Sequence, residues 1–413
     1  MRISSQQYFS MNVSTMSDQQ TQLTQLYEEI SSGVSLNTPS DDPLGAAQAV
    51  RLSTTAATLA RYTSNQSTAL SSLQAEDSTL GSVNHVLQSI HTLVLRAGNG
   101  ALNDGDRSAI GTQVEGLRSQ LMTLANTTDA QGNPLFGGFQ NTAQPYITDA
   151  SGAIRYMGDT GTRTVQITDS AVIPVTDSGA AVFGSVAPIG SSPVPAASSL
   201  NTGAGVIGQV SVTDPTSVTN SDTYTIRFGG GTPATSYTVD SYDPGTGITT
   251  AGTSGGPFTS GSAIQLGGLS VTISGAPAAN DTFSVTPPTH QANTDVFANL
   301  SALISALQQP VAGAAATATL QNVLNTGMAQ LENTMNNVVT VQAAVGGREQ
   351  EVQALHTVMQ TNALQTQSNL SDLTSTNMTQ AISKYMMTQT ALQASQQAFV
   401  KIQNLSLFQY INP

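Results

Sequence analysis

The sequence predicts an α+β protein: a long antiparallel α-helical coiled-coil bundle formed by the N- and C-terminal arms, with an inserted β-rich domain. Three observations carry this. Prolines are concentrated in the middle, apolar residues recur every seven positions in both flanks, and the proline-rich middle alternates polar and apolar residues. Fourteen of the seventeen prolines lie from Pro134 to Pro310, and proline is excluded from helix interiors.

In the first arm, Leu52, Leu59, Gln66, Leu73, Leu80, Leu87 and Val94 fall on one heptad position, with Tyr62, Ala69, Val83 and Ile90 on the companion row. Such an a/d seam predicts one helix over 44–97, about 80 Å at 1.5 Å per residue, which needs partner helices to cover its stripe. "GNGALNDGDRS" then reads as a helix-to-helix turn. Gly98 and Gly100 suit a C-terminal cap, and Asn103 or Asp104 suits the N-cap of a helix over 104–128. In the second arm, Val338, Val345, Val352, Met359 and Leu373 repeat the period, with Val341 and Leu355 on the other row. Each arm carries a seam of the kind that the other needs.

The middle, 146–290, reads as β. "TVQIT" (164–168), "QVSVT" (209–213), "TYTIRF" (223–228), "SYTVD" (236–240), "LSVTIS" (269–274) and "TFSVT" (282–286) alternate between Gly/Pro/Asp turns. The likeness of "SDTYTI" and "NDTFSV" has two explanations, a local duplication or two strands sharing turn chemistry.

Composition excludes several function classes. There is no cysteine, so there is no disulfide, zinc-thiolate site or cysteine nucleophile. Only 9% of residues are charged, and the net charge of −13 disfavours nucleic acid and anionic membrane surfaces. No apolar run reaches the ~18 residues of a membrane helix. The first residues lack the apolar core of a secretory signal, so composition alone points to the cytoplasm. Chemistry-bearing clusters do not emerge. His85 and His91 stand six apart on a helix and face different ways, and "FGGGTP" (228–233) ends a strand without the Lys-Ser/Thr of a phosphate loop. Asp41 and Asp42 precede Pro43, which reads as a helix N-cap with proline at N1. We expect no enzyme, cofactor or metal.

The stretch "LYEEISSGVSLNTPSDDPLGAAQAV" (26–50) resembles the N-terminal signature of the flagellin superfamily, through Ser31, Ser32, Gly33, Asp41, Asp42 and Pro43. Val34 and Ser35 replace the basic pair that commonly follows the glycine. "TLANTTDAQGNPLFGGFQ" (123–140) is similar to the family's end-of-domain segment, at Gly132, Asn133, Leu135, Phe136 and Gly138, and "TQTALQASQQAFVKIQNLSLFQYI" to its C-terminal helix. Within the superfamily, the start "MRISSQQYFSMN" and the ending "LSLFQY" resemble the members that join hook to filament rather than filament flagellins.

The resemblance implies a structural subunit of the flagellar axis, forming a homo-oligomeric ring. A hook-associated neighbour would lie on the hook side and flagellin on the filament side. It also implies passage, unfolded, through the flagellar type III export apparatus, with an export chaperone on the C-terminal helix. That moves the expected location to the extracellular flagellum, without a cleaved signal peptide. A filament flagellin, or a secreted adhesin on a coiled-coil stalk, are the alternatives. The expected domains are a terminal segment 1–42, bundle halves 43–145 and 291–374 around the insertion, and a terminal helix 375–413. In the family both ends are disordered in the free subunit and helical on assembly. The assembly interface is expected at Ile3, Tyr8, Leu23, Leu26, Tyr27 and Ile30, and at Ile382, Tyr385, Leu392, Phe399, Ile402, Leu405, Leu407, Phe408 and Tyr410. Neither stripe has enough local chain to bury itself, and isolated helices are marginal in water.

Overall fold

The computed structural model describes residues 5–36, 38, 42–141, 144–184, 191–288 and 295–411, with the side chains of 5, 6, 8, 253 and 402–411 outside the description. The chain divides into two compact units, Met1–Ser64 with Leu355–Pro413, and Asn65–Ala354. The α+β class is observed, with helical arms at both ends of the chain and an inserted antiparallel β domain. The helices are α1 (Ser5–Ser32), α2 (Pro43–Ala97), α3 (Asp104–Ala125), α4 (Gly179–Phe183), α5 (Val296–Gln308), α6 (Gly313–Thr374) and α7 (Met378–Ile411).

Within the unit Asn65–Ala354, the heptad leucines of α2 do what their spacing requires. Leu73, Leu80, Leu87 and Val94 are fully buried, as are Ala69, Val83 and Ile90 on the companion row. Val338, Val345 and Val352 of α6 are buried likewise. The two helices run antiparallel here: Gln342 Nε2 donates to Asp77 Oδ1 at 3.1 Å, and His91 Nε2 lies 3.5 Å from Glu332 Oε1. Gln66, the polar member of the leucine row, is buried and donates Nε2–H to the Ile167 carbonyl at 2.8 Å.

The turn after α2 differs from expectation. Neither Gly98 nor Gly100 takes the left-handed backbone of a glycine cap. Instead Gly98 N–H donates to Val94 O, and Asn99 Oδ1 accepts from Ala101 N, so an asparagine closes the turn. Asn103 caps α3 as its position suggests, Oδ1 accepting from Asp106 N at 2.9 Å while Asp106 Oδ2 accepts from Asn103 N. The helix ends at Ala125 rather than 128. The Asn126 amide bonds both backbone groups of Tyr146, which draws the chain off the helix axis.

The hairpins β1 (Tyr146–Thr148)–β2 (Ile154–Tyr156) and β3 (Thr164–Gln166)–β4 (Val172–Pro174) belong with the helices. Tyr146, Phe136, Phe183 and Phe297 of α5 form one aromatic cluster, with ring centroids 5.0 to 6.1 Å apart. β3 stops at Gln166, two residues before the expected end. The side-chain amides of Asn65 and Gln66 take the Gln166 and Ile167 carbonyls.

The remaining strands form a second core. β5 (Val194–Ala197), β8 (Thr223–Gly229), β9 (Ser236–Asp243), β10 (Ile248–Pro257) and β13 (Thr282–Thr286) make an antiparallel sheet in the order β10-β9-β8-β13-β5. β6 (Ala204–Ile207), β11 (Ala263–Leu266) and β12 (Leu269–Ala276) make another, with β7 (Ser211–Val212) on β12. Ile207, Tyr224, Ile226, Phe228, Leu266, Val271, Ile273, Phe283 and Val285 from both sheets share one apolar cluster, as in a sandwich. The two look-alike stretches are neighbours, with Ile226 opposite Phe283. The strand expected over 209–213 shrinks to β7, because Thr213 N and Asp214 N both turn inward to the Gly268 carbonyl.

α6 holds this sandwich through amides. Asn322 accepts from Ile207 N and donates to Gly205 O, Asn325 donates to Ile207 O, and Thr326 donates to Pro195 O, all at 2.7 to 2.9 Å. Further along, Asn333 bonds both backbone groups of Ser192, and Asn337 donates to the Ala181 and Val182 carbonyls.

Candidate assembly interface

The interface residues expected from sequence fall in the unit Met1–Ser64 with Leu355–Pro413. α1 ends at Gly33, whose N–H donates to Glu29 O and whose φ of +72° is the left-handed conformation that a side chain disfavours. The chain then crosses to the start of α7: Thr376 N–H donates to Gly33 O at 3.0 Å and Ser35 N–H to Thr374 O at 2.8 Å. Asn377 opens α7, its Oδ1 accepting from Gln380 N. At the other end of the pair, the rings of Phe9 and Phe399 stand 5.2 Å apart. α1 and α7 therefore lie antiparallel, tied at one end by backbone and at the other by aromatic rings. Asp42 Oδ1 accepts from Leu44 N and Gly45 N, capping α2 with Pro43 at its first position, as the spacing indicated.

The seam between α1 and α7 is narrow. On α1, Asn12, Met16, Gln19, Leu23, Leu26 and Ile30 are half-buried, at alternating spacings of three and four. On α7, Ala381 is buried and Tyr385, Thr388, Leu392, Ser395 and Phe399 are half-buried at the same spacing. Polar or small residues fill a third of the α1 row and half of the α7 row, so apolar residues alone do not trace it. Leu23, Leu26, Ile30, Tyr385, Leu392 and Phe399 of the expected stripe lie on this seam. Tyr27 (63% exposed) and Ile382 (42%) do not. Ile3 and Asp41 lie outside the described residues. Tyr8, Ile402, Leu405, Leu407, Phe408 and Tyr410 lie in α1 or α7, with their side chains outside the description.

Off the seam, the same two helices expose Met11, Val13, Tyr27, Ile382, Met386, Met387 and Val400, with Met387 at 72%. Sequence reasoning missed Met11, Met386, Met387 and Val400, which share no single heptad row. Exposed large apolar residues in this density exceed the scattered single residues of an ordinary surface. Among the described residues, no group of three or more His, Asp and Glu is placed to hold a metal ion, and no helix is long and apolar enough to cross a membrane.

Paired terminal helices, a capped helical region and an inserted antiparallel sandwich are the architecture that the resemblance to the flagellin superfamily implies. The family described as the bacterial flagellin N-terminal helical region matches residues 3–141, and the D2-like domain of flagellar hook-associated protein 1 matches residues 196–287. The particular likeness is to flagellar hook-associated protein 3. The Escherichia coli (strain K12) protein of that name is 28% identical over 410 residues, covering 99% of both chains. That of Salmonella typhimurium is 27% identical over 414 residues, again covering 99% of both. The crystal structure of flagellar hook associated protein-3 from Legionella pneumophila shares the fold, with a TM-score of 0.66 at 24% identity over 78% of this chain and 98% of that one.

Proposed function

We propose that the chain is a structural, non-catalytic subunit of the bacterial flagellum, joining hook to filament at their junction. The observation that carries this reading is the α1–α7 pair, whose partly polar seam leaves Met11, Tyr27, Met386, Met387 and Val400 uncovered. The full-length likeness to hook-associated protein 3 says which assembly would cover them. Neighbouring copies complete the apolar surface of the terminal helices, including Ile3, Tyr8 and the 402–410 stretch. Contacts of this open head-to-tail kind build rings and tubes rather than closed dimers. Segments 1–42 and 375–413 gain most of their helical stability in that step, because isolated helices are marginal in water. The insertion, meanwhile, folds on its own core. A hook-associated neighbour and flagellin are the axial partners, and export by the flagellar type III apparatus, aided by a chaperone on the C-terminal helix, fits a chain without cysteine.

Deleting the gene tests this. Hooks without filaments, and flagellin shed into the medium, are the expected phenotype, rescued by the full chain but not by residues 1–389. The truncated chain should keep the unit Asn65–Ala354 folded. Normal filaments in the deletion strain, or filaments restored by the truncated chain, would overturn the proposal, the former in favour of a redundant flagellin or an adhesin.

A further inference from the structure

The leucine seam of α2 is interrupted on its companion row by Glu76, which is fully buried. Its Oε1 accepts from Asp177 N at 2.9 Å, and Oε2 is buried without a hydrogen-bond partner. Asp177 lies between β4 and α4, and its carboxylate pairs with Arg348 of α6. Arg348 also donates to Pro174 O. Arg163, just before β3, donates to Thr176 Oγ1 and to Pro134 O. Beside this group, Asp77 of α2 accepts from Gln342, and Glu349 of α6 keeps a buried, unpaired Oε1. Glu76 and Asp177 thus gather with the guanidiniums of Arg163 and Arg348 where the segment 172–184 meets both long helices, and Asp77 and Glu349 form a second carboxyl pair between the same helices. Neither guanidinium hydrogen-bonds Glu76: Arg348 bonds Asp177 and the Pro174 carbonyl, and Arg163 bonds Thr176 and the Pro134 carbonyl. Taking an ionised carboxylate from water without a partner is costly, so the group binds a proton instead.

We propose that Glu76 is a proton-operated latch: protonated, it lets residues 172–184 seat on α2 and α6, and ionised, it repels Asp177 and loosens that segment. Burial first, and the neighbouring Asp177 second, push the Glu76 carboxyl up from 4.5 to about 8. Burial and Asp77 raise Glu349 in the same direction. Because the folded state holds the Glu76 proton more tightly than the unfolded chain, its stabilisation is full below 4.5 and is lost as pH rises through about 8. Above that, no further loss comes from this group. The segment bears α4, whose Ala181 and Val182 carbonyls Asn337 grips, so the latch acts where the insertion leaves the helices.

Amide hydrogen exchange of residues 172–184 in the full chain tests this, comparing wild type with Glu76→Gln at matched pH so that intrinsic exchange cancels. The wild-type-to-variant ratio of exchange rates should rise by about tenfold or more between pH 4.5 and 8 and then level off. A ratio that stays flat across this window overturns the latch. Should Glu76→Gln fail to fold, Asp177→Asn provides the second measurement. Removing the adjacent negative charge and freeing Arg348 should move the wild-type transition to lower pH, and an unmoved transition also overturns the proposal.

Discussion

Phe9 and Phe399, 390 residues apart in sequence, stand with ring centroids 5.2 Å apart and planes tilted by 43°. They close the open end of a helix pair whose other end is tied by the Gly33–Thr376 and Ser35–Thr374 backbone hydrogen bonds. With Phe9 about half exposed, Phe399→Ala should cost about 1–2 kcal/mol from lost apolar burial and ring contact. The loss should be local: exchange protection falls along α1 and α7 while α3 and α5 keep theirs. Unchanged protection of α1 would show that the rings do not hold the pair.

Leu80 and Leu87 are fully buried on the α2 seam. Truncating either to alanine removes an isopropyl group from a closed site, and each change should cost about 2–5 kcal/mol. Leu80→Asp should go further and unfold the unit Asn65–Ala354, since it buries an unpaired charge. Thermal melting by circular dichroism reads both, and an aspartate variant that melts like wild type would refute the seam.

Asn337 and Asn336 are adjacent on α6, yet only Asn337 is buried and grips the Ala181 and Val182 carbonyls. Asn337→Ala strands two buried acceptors and should cost about 1–3 kcal/mol, whereas Asn336→Ala should stay within about 0.5 kcal/mol. Chemical denaturation of the two variants side by side decides it. Equal midpoints would mean that the amide contributes no net stability.

These sites also mark how far the sequence could be read. Leucine and valine at seven-residue spacing announced α2 and α6, because burying a stripe requires that period. The leucine row admits Gln66, but the companion row reads through apolar residues alone, so the position between Ala69 and Val83 drops out of it, and that position is Glu76. The same habit hid the face of α6 carrying Asn322, Thr326, Asn333 and Asn337. Its spacings of four, seven and four are those of a seam, but its partners are peptide groups rather than side chains. Among strands, β8, β9, β12 and β13 alternate visibly. β5, β6 and β10 do not: Ala, Gly, Ser, Thr and Pro fill half or more of their positions, and the ladder rather than the side chains makes them strands. Pro195 is tolerated because β5 lies at the sheet's edge. On the terminal helices, the phenylalanine and leucine positions of the seam were legible, while its polar part emerged only from the way α1 and α7 pack.

The amide face of α6 has a consequence for how this protein diverges. The side chains of Asn322, Asn325, Thr326, Asn333 and Asn337 direct these hydrogen bonds to main-chain atoms between residues 181 and 207. A socket that grips main chain alone exerts no selection on the side chains it holds. The outward residues of the sandwich are therefore free to drift under whatever pressure the cell's surroundings impose, while the plug still fits. Helix and sandwich behave as mount and cartridge, one constrained by its amides and the other by little more than its own core.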